Sequence, residues 1–229
     1  MQSQGLYDPR HEHDACGVGF LVDMKGRKSH TIVQQGLQVL INLAHRGACG
    51  CEENTGDGAG IMVQTPDKTL RKVAPAPLPP AGEYGVGLVF MPHDADARQT
   101  ITELFARIIA EEGQTLLGWR DVPTDDSLVG PSAVAVEPRF AQIFIASTKS
   151  GGVSEPAEIG QERFERKLYI IRKRVENAVD ALTIAAEQKK QFYVCNLSSK
   201  TLVYKGMLNA DQLGPQFPDL QDPDFESAL

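Results

Sequence analysis

Two short runs, Cys16-Gly-Val-Gly-Phe-Leu-Val22 and Tyr84-Gly-Val-Gly-Leu-Val-Phe-Met91, constrain this chain more than any other feature. Each is apolar on both faces and too short for a helix, so each predicts a buried strand. In the first, the two-residue period places Cys16, Val18, Phe20 and Val22 on one face. Gly17 and Gly19 fall on the other, where a second backbone can approach closely. Strands of this kind need covering layers, and three helical stripes supply them. The first follows Ser29, a fair N-cap, through Ile32, Val33, Gly36, Leu37, Leu40, Leu43 and Ala44. The second runs through Ile101, Leu104, Phe105, Ile108 and Ile109, and the third through Phe164, Leu168, Ile171, Val175, Val179 and Leu182.

Further strands are predicted at 60–65, 116–122 and 140–145, and a hairpin pairs 192–195 with 201–204 across Asn196–Lys200. Pro75–Pro80 reads as a stiff extended connector. The alternation gives an α+β or layered α/β fold, a sheet covered by helices, which leaves function open. Residues 1–15 are polar and turn-rich, a leader or arm, with a single domain expected over 16–229. The stretch from Gln212 to Leu229 is rich in Pro and Asp and shows no closing element, as in a domain incomplete at its C-terminus.

Composition narrows the class. A net charge of −7 leaves nothing to neutralise a phosphate lattice, so nucleic acid is not expected as a partner. No apolar run reaches the roughly 18–20 residues that span a bilayer, and residues 1–10 lack the apolar core of a secretory signal. Four cysteines in 229 residues make no disulfide scaffold; reduced thiols and a cytoplasmic location are expected.

Cys16 carries the sharpest chemistry. A cysteine opening a buried strand is ordinarily a small core residue. Here, however, the residues before it are disposable in character, and Asp14-Ala15 offers a small residue at the bond to be cut. Removing 1–15 would give Cys16 a free α-amine. Its reference pKa of about 7.7–8.0 nearly matches the thiol's value of about 8.5, so the pair can exchange a proton near neutrality. The loop Gly56-Asp-Gly-Ala-Gly60 has the wrong spacing and context for a dinucleotide turn; its glycines fit a close backbone approach. Cys49 and Cys51, near His45, lack the spacing of a zinc site and read as incidental thiols, with an oxidative disulfide as an alternative. Cys195 reads as packing.

Four motifs stand in order: Gly5-Leu-Tyr-Asp-Pro9, Glu12-His-Asp-Ala-Cys-Gly-Val-Gly-Phe20, His45-Arg-Gly-Ala48 and Asn54-Thr-Gly-Asp-Gly-Ala-Gly60. Together they resemble the start of glutamate synthase large subunits, whose first domain is a class II glutamine amidotransferase. The resemblance implies an N-terminal-nucleophile αββα sandwich, a short cleaved propeptide, and Cys16 as the nucleophile toward glutamine. It implies supporting roles for Arg46, Gly47 and Asp57. For the whole enzyme it implies 2-oxoglutarate as acceptor, FMN and an iron–sulfur cluster outside this segment, and the rest of the large subunit and a small subunit as partners. The family's Asn-Gly oxyanion pair and Ser-Arg-Phe substrate grip have no counterpart: Asn42, Asn54, Asn177, Asn196 and Asn209 precede Leu, Thr, Ala, Leu and Ala. Little glutaminase activity is therefore expected of these 229 residues alone. The competing expectations are a non-catalytic folding or assembly module and another class II amidotransferase.

Overall fold

The computed structural model describes residues 17–44, 52, 54–148 and 157–229. Its elements run α1 (His30–Asn42), β1 (Ala59–Gln64), α2 (Asp67–Val73), β2 (Tyr84–Met91), α3 (Ala95–Glu111), β3 (Thr115–Asp121), α4 (Pro131–Val134) and β4 (Arg139–Ala146). They continue α5 (Ala157–Ala181), α6 (Ala186–Gln191), β5 (Tyr193–Val194), β6 (Thr201–Gly206) and α7 (Leu213–Gln216). All pairing is antiparallel: a four-stranded sheet ordered β3-β4-β2-β5, and a separate ribbon of β1 with β6.

The four-stranded sheet is covered on both faces, as the apolarity of β2 demanded. One face presents Val89, Met91, Ala141, Ile143 and Ile145 to the buried stripes of α3 and α5. All the predicted stripe residues of those two helices are buried except Leu182, which is partly buried beyond the end of α5. The opposite face, with Tyr84, Val86, Leu88, Phe140 and Phe144, packs on the ribbon, α1 and the C-terminal turns. Ser29 caps α1, its hydroxyl accepting from the Ile32 amide, and Asp94 caps α3 in the same way through Ala97. Gly113 takes a φ of +71° just after the Glu112 C-cap of α3, as a residue without Cβ can.

Two expectations need correction. Residues 17–23 form no strand, and Val18 and Phe20 are 86% and 85% exposed. Nor does a second backbone meet Gly19: a Cβ there would lie 2.4 Å from Cγ1 of Val39 on α1, so the neighbour is a helix side chain. Cys16 itself lies outside the described residues. The expected hairpin is a crossover. β5 joins β2 of the large sheet while β6 joins β1. Asn196 makes the switch, its side-chain oxygen accepting from the amides of Leu88 and Val203 and its nitrogen donating to the Thr201 carbonyl.

The C-terminal stretch is core. Leu213, Phe217, Leu220 and Phe225 are fully buried, and Phe217 stacks edge-on against Phe140 and Tyr204 with ring centroids 5.2 and 5.1 Å away. A buried polar network pins this stretch. Asp219 accepts two bonds from Arg120 at 2.7 and 2.8 Å and one from the Tyr204 hydroxyl at 2.6 Å. Gln142 completes it, donating to Tyr204 and accepting from Arg120, both at 2.8 Å. Burial, and then the Asp219 carboxylate, push the Tyr204 phenol far above its usual range. Asp219→Ala strands a buried guanidinium, and the expected loss is about 3–5 kcal/mol of unfolding free energy in urea titration. Tyr204→Phe, which leaves the ion pair intact, costs less.

Glu137 is half-buried beside Asp126, both carboxylates accepting from the Gln216 side-chain nitrogen at 2.9 and 2.7 Å. Burial and then the Asp126 charge raise the Glu137 carboxyl to about 7. Its folded value exceeds its unfolded one, so its stabilising contribution is full below the ordinary carboxylate range and is lost as pH rises through about 7. Urea unfolding between pH 5 and 8 therefore shows a falling component, which Glu137→Gln removes.

Candidate active site

Gly17, Ala44 and Asp57 open onto one cleft of about 370 Å³, whose further walls are Leu40, Ile41 and Leu43 of the α1 end and Leu208 to Asp211 beyond β6. Gly17 is peptide-bonded to Cys16, and Ala44 to His45 of the His45-Arg46-Gly47 motif. The described residues next to Cys16 and His45 thus line this cleft together with Asp57. Cys16, Arg46, Gly47, Cys49 and Cys51 lie outside the described residues, and the structure assigns them no geometry. Asp57 is described; it is exposed and lines the cleft. The charged groups among the cleft's described residues, Asp57 and Asp211, are both acidic and favour a cationic group at that wall.

The loop that carries Asp57 follows a path only small residues permit. A Cβ on Gly56 would stand 2.5 Å from the Leu208 carbonyl carbon and oxygen, and one on Gly60 would stand 2.8 Å from Cβ of Lys205. Gly58 has a φ of +143°. The glycines do let backbone run close to backbone, as read from the sequence, but the partner is β6 and the turn after it.

Two anchors were not foreseen. Glu52 accepts from the Thr55 hydroxyl at 2.7 Å and from the Ser132 hydroxyl and amide at 2.8 and 3.2 Å, bonds that hold its carboxyl below the usual range. Gln212 donates to the carbonyls of Asn54 and Leu128. No periodicity announces either residue, because each partner lies about 80 or more positions away or on an irregular turn. Cys195 packs against the core beside β2 and burial pushes its thiol up to about 12, consistent with its reading as packing. Among the described residues no three His, Cys, Asp or Glu side chains are grouped to hold a metal ion.

The sequence profile described as "Glutamine amidotransferases class-II" matches residues 16–229, and the chain belongs to that family. Within it, the similar proteins are glutamate synthases. The chain is 42% identical over 229 residues to the glutamate synthase [NADPH] large chain of Bacillus subtilis (strain 168), covering 100% of itself and 14% of that protein. It is 39% identical over 231 residues to the corresponding large chain of Azospirillum brasilense, covering 99% of itself and 14% of the relative. Against ferredoxin-dependent glutamate synthase 2 of Arabidopsis thaliana it is 36% identical over 226 residues, covering 97% and 13%. The chain therefore spans about one-seventh of the length of these relatives. Among the described residues no helix is long and apolar enough to cross a membrane.

Gly56→Ala forces the Leu208 carbonyl or the loop to move. The expected cost is about 1–3 kcal/mol in denaturant unfolding, together with faster proteolysis within the 54–60 loop.

Proposed function

We propose that this chain is the glutaminase portion of a glutamate synthase and that Cys16 is its nucleophile. Removal of residues 1–15 frees the Cys16 α-amine, which accepts the thiol proton. The thiolate attacks the side-chain amide carbon of glutamine, and the tetrahedral intermediate collapses with the proton delivered to the departing nitrogen. Ammonia leaves and a γ-glutamyl thioester remains. Water then hydrolyses the thioester to glutamate and restores the thiol. In the whole protein the ammonia would pass to 2-oxoglutarate at a reducing centre outside this segment. Within the segment the fold is of the N-terminal-nucleophile type, with the four-stranded sheet and the β1–β6 ribbon as facing sheet layers.

The observation that carries this reading is the convergence of Gly17, Ala44 and Asp57 on one cleft. The family match beginning at Cys16 supports it, because a propeptide would be expected to fall outside the match. Arg46 and Gly47 order the nucleophile's surroundings, and Asp57 orients a cationic part of the substrate.

The same reading makes the 229-residue chain nearly inert. A tetrahedral oxyanion needs donors, and losing one costs roughly 10²–10³ in kcat. No Asn-Gly pair is present to supply them. The test joins the chain to the polypeptide that follows the matched region in the Bacillus relative. The expected results are loss of residues 1–15 by intact mass and glutamine-dependent ammonia release, abolished by Cys16→Ser. The 229-residue chain alone shows at least about a hundredfold less release. A joined protein that releases ammonia with Met1 retained, or with Cys16→Ser, would refute the proposal.

A further inference from the structure

Residues 125–137 form a strap tied on one side to α7 and on the other to the turn that leads into Asp57. On the α7 side the Asp125 amide donates to the Gln216 carbonyl at 3.0 Å, and the Gln212 side chain donates to the Leu128 carbonyl at 2.7 Å. On the other side the Gly130 amide donates to the Asn54 carbonyl at 2.9 Å, and Ser132 holds Glu52. The approach is tight: a Cβ on Gly130 would stand 2.2 Å from the Thr55 hydroxyl oxygen. The strap thus braces the turn of Glu52, Asn54 and Thr55.

Each end of the strap carries a carboxyl group, and the two meet. Asp126 and Glu137 accept from the same nitrogen, Nε2 of Gln216, and lie within hydrogen-bond reach of each other. Gln216 is 1% exposed, and its Oε1 has no hydrogen-bond partner among the described residues. Turning the amide over would set that oxygen against both carboxyls, so the nitrogen stays toward the pair and an acceptor stays buried and unmet.

One neutral amide does not neutralise two anions, whereas one proton between them removes the repulsion. Burial and the Asp126 charge, which raise the Glu137 carboxyl to about 7, act in the same direction. The other groups nearby are engaged elsewhere. His93 Nε2 lies 2.6 Å from the Glu137 carbonyl oxygen rather than its carboxyl, and Arg98 donates to the Pro92 and His93 carbonyls. Arg139 pairs with Asp121, and Asp125 accepts from the Ser127 amide. Among the described residues no cation stands against the Glu137 carboxyl.

We propose that a single proton shared by Glu137 and Asp126 latches the strap, and that its loss toward neutral pH loosens residues 125–137 and the turn they brace. The path of the loop that brings Asp57 to the cleft is then under pH control. The proposal does not rest on the glutaminase chemistry, and its test uses no glutamine. The latched state holds the proton more tightly than the open one. Opening therefore grows more frequent from the ordinary carboxylate range up to about 7 and levels off above it.

The test follows backbone amide exchange by NMR in the 229-residue chain from pH 5 to 8, as protection factors corrected for the intrinsic pH dependence of exchange. Protection of the Asp125, Gly130 and Thr55 amides falls at least about tenfold across this range. Low urea leaves exchange at these amides unchanged while speeding it at Ile143 in the centre of the sheet, because the opening is local. In Glu137→Gln, whose amide donates to Asp126 in place of the shared proton, protection stays high to pH 8. His93→Gln keeps the unsubstituted response. A carbon-13 titration of the Glu137 carboxyl has its midpoint at about 7. A midpoint in the ordinary carboxylate range would overturn the proposal, as would pH-independent protection at Asp125 and Gly130. So would a response that survives Glu137→Gln or vanishes in His93→Gln, or a urea dependence equal to that of Ile143.

Discussion

The Asp219 carboxylate, buried and held by Arg120 and Tyr204, is the joint on which the rest of the architecture turns. Taking a carboxylate and a guanidinium out of water costs several kcal/mol per ion. The cost is met here because three donors converge on Asp219 and Gln142 satisfies what remains of Arg120 and Tyr204. The network spans β3, β4, β6 and the C-terminal turns, so one polar cluster sets the ribbon against the large sheet. Position then propagates outward. β6 fixes the turn through Leu208, that turn fixes the path of Gly56, and the loop delivers Asp57 to the cleft.

What could be read in the sequence follows from where each element finds its cover. The stripes of α3 and α5 are self-reporting, because a helix whose buried residues recur every three or four positions carries its own period. β2 was legible because both of its faces are buried within this chain. Pairing was not legible. Tyr193-Val194 and Thr201–Gly206 look like hairpin arms, and only the long-range hold of Asn196 on Leu88 sends them to different sheets. The burial of the C-terminal stretch carried no signal either. Its Pro and Asp residues mark turns correctly, but Leu213, Phe217, Leu220 and Phe225 are buried from those turns without any regular period.

The candidate site divides along the same line. The family motifs brought Cys16, Arg46, Gly47 and Asp57 to attention, and the structure places Asp57, Gly17 beside Cys16 and Ala44 beside His45 around one cleft, while Arg46 and Gly47 lie outside the described residues. The residues that hold the cleft's loop, Glu52 and Gln212, carry no local signal. Their identities matter only through partners such as Ser132 and Leu128, which the fold brings near.

The strand reading at residues 17–22 failed for a physical reason. Its composition is that of a covered strand, yet Val18 and Phe20 stand in solvent. Apolar alternation reports what a segment needs covered, not what covers it. Burying each such side chain is worth roughly 1.5–3 kcal/mol, stabilisation that Val18 and Phe20 forgo where they stand in solvent. That segment begins at Gly17, one peptide bond from the proposed nucleophile Cys16, so whatever covers Val18 and Phe20 also restrains Cys16.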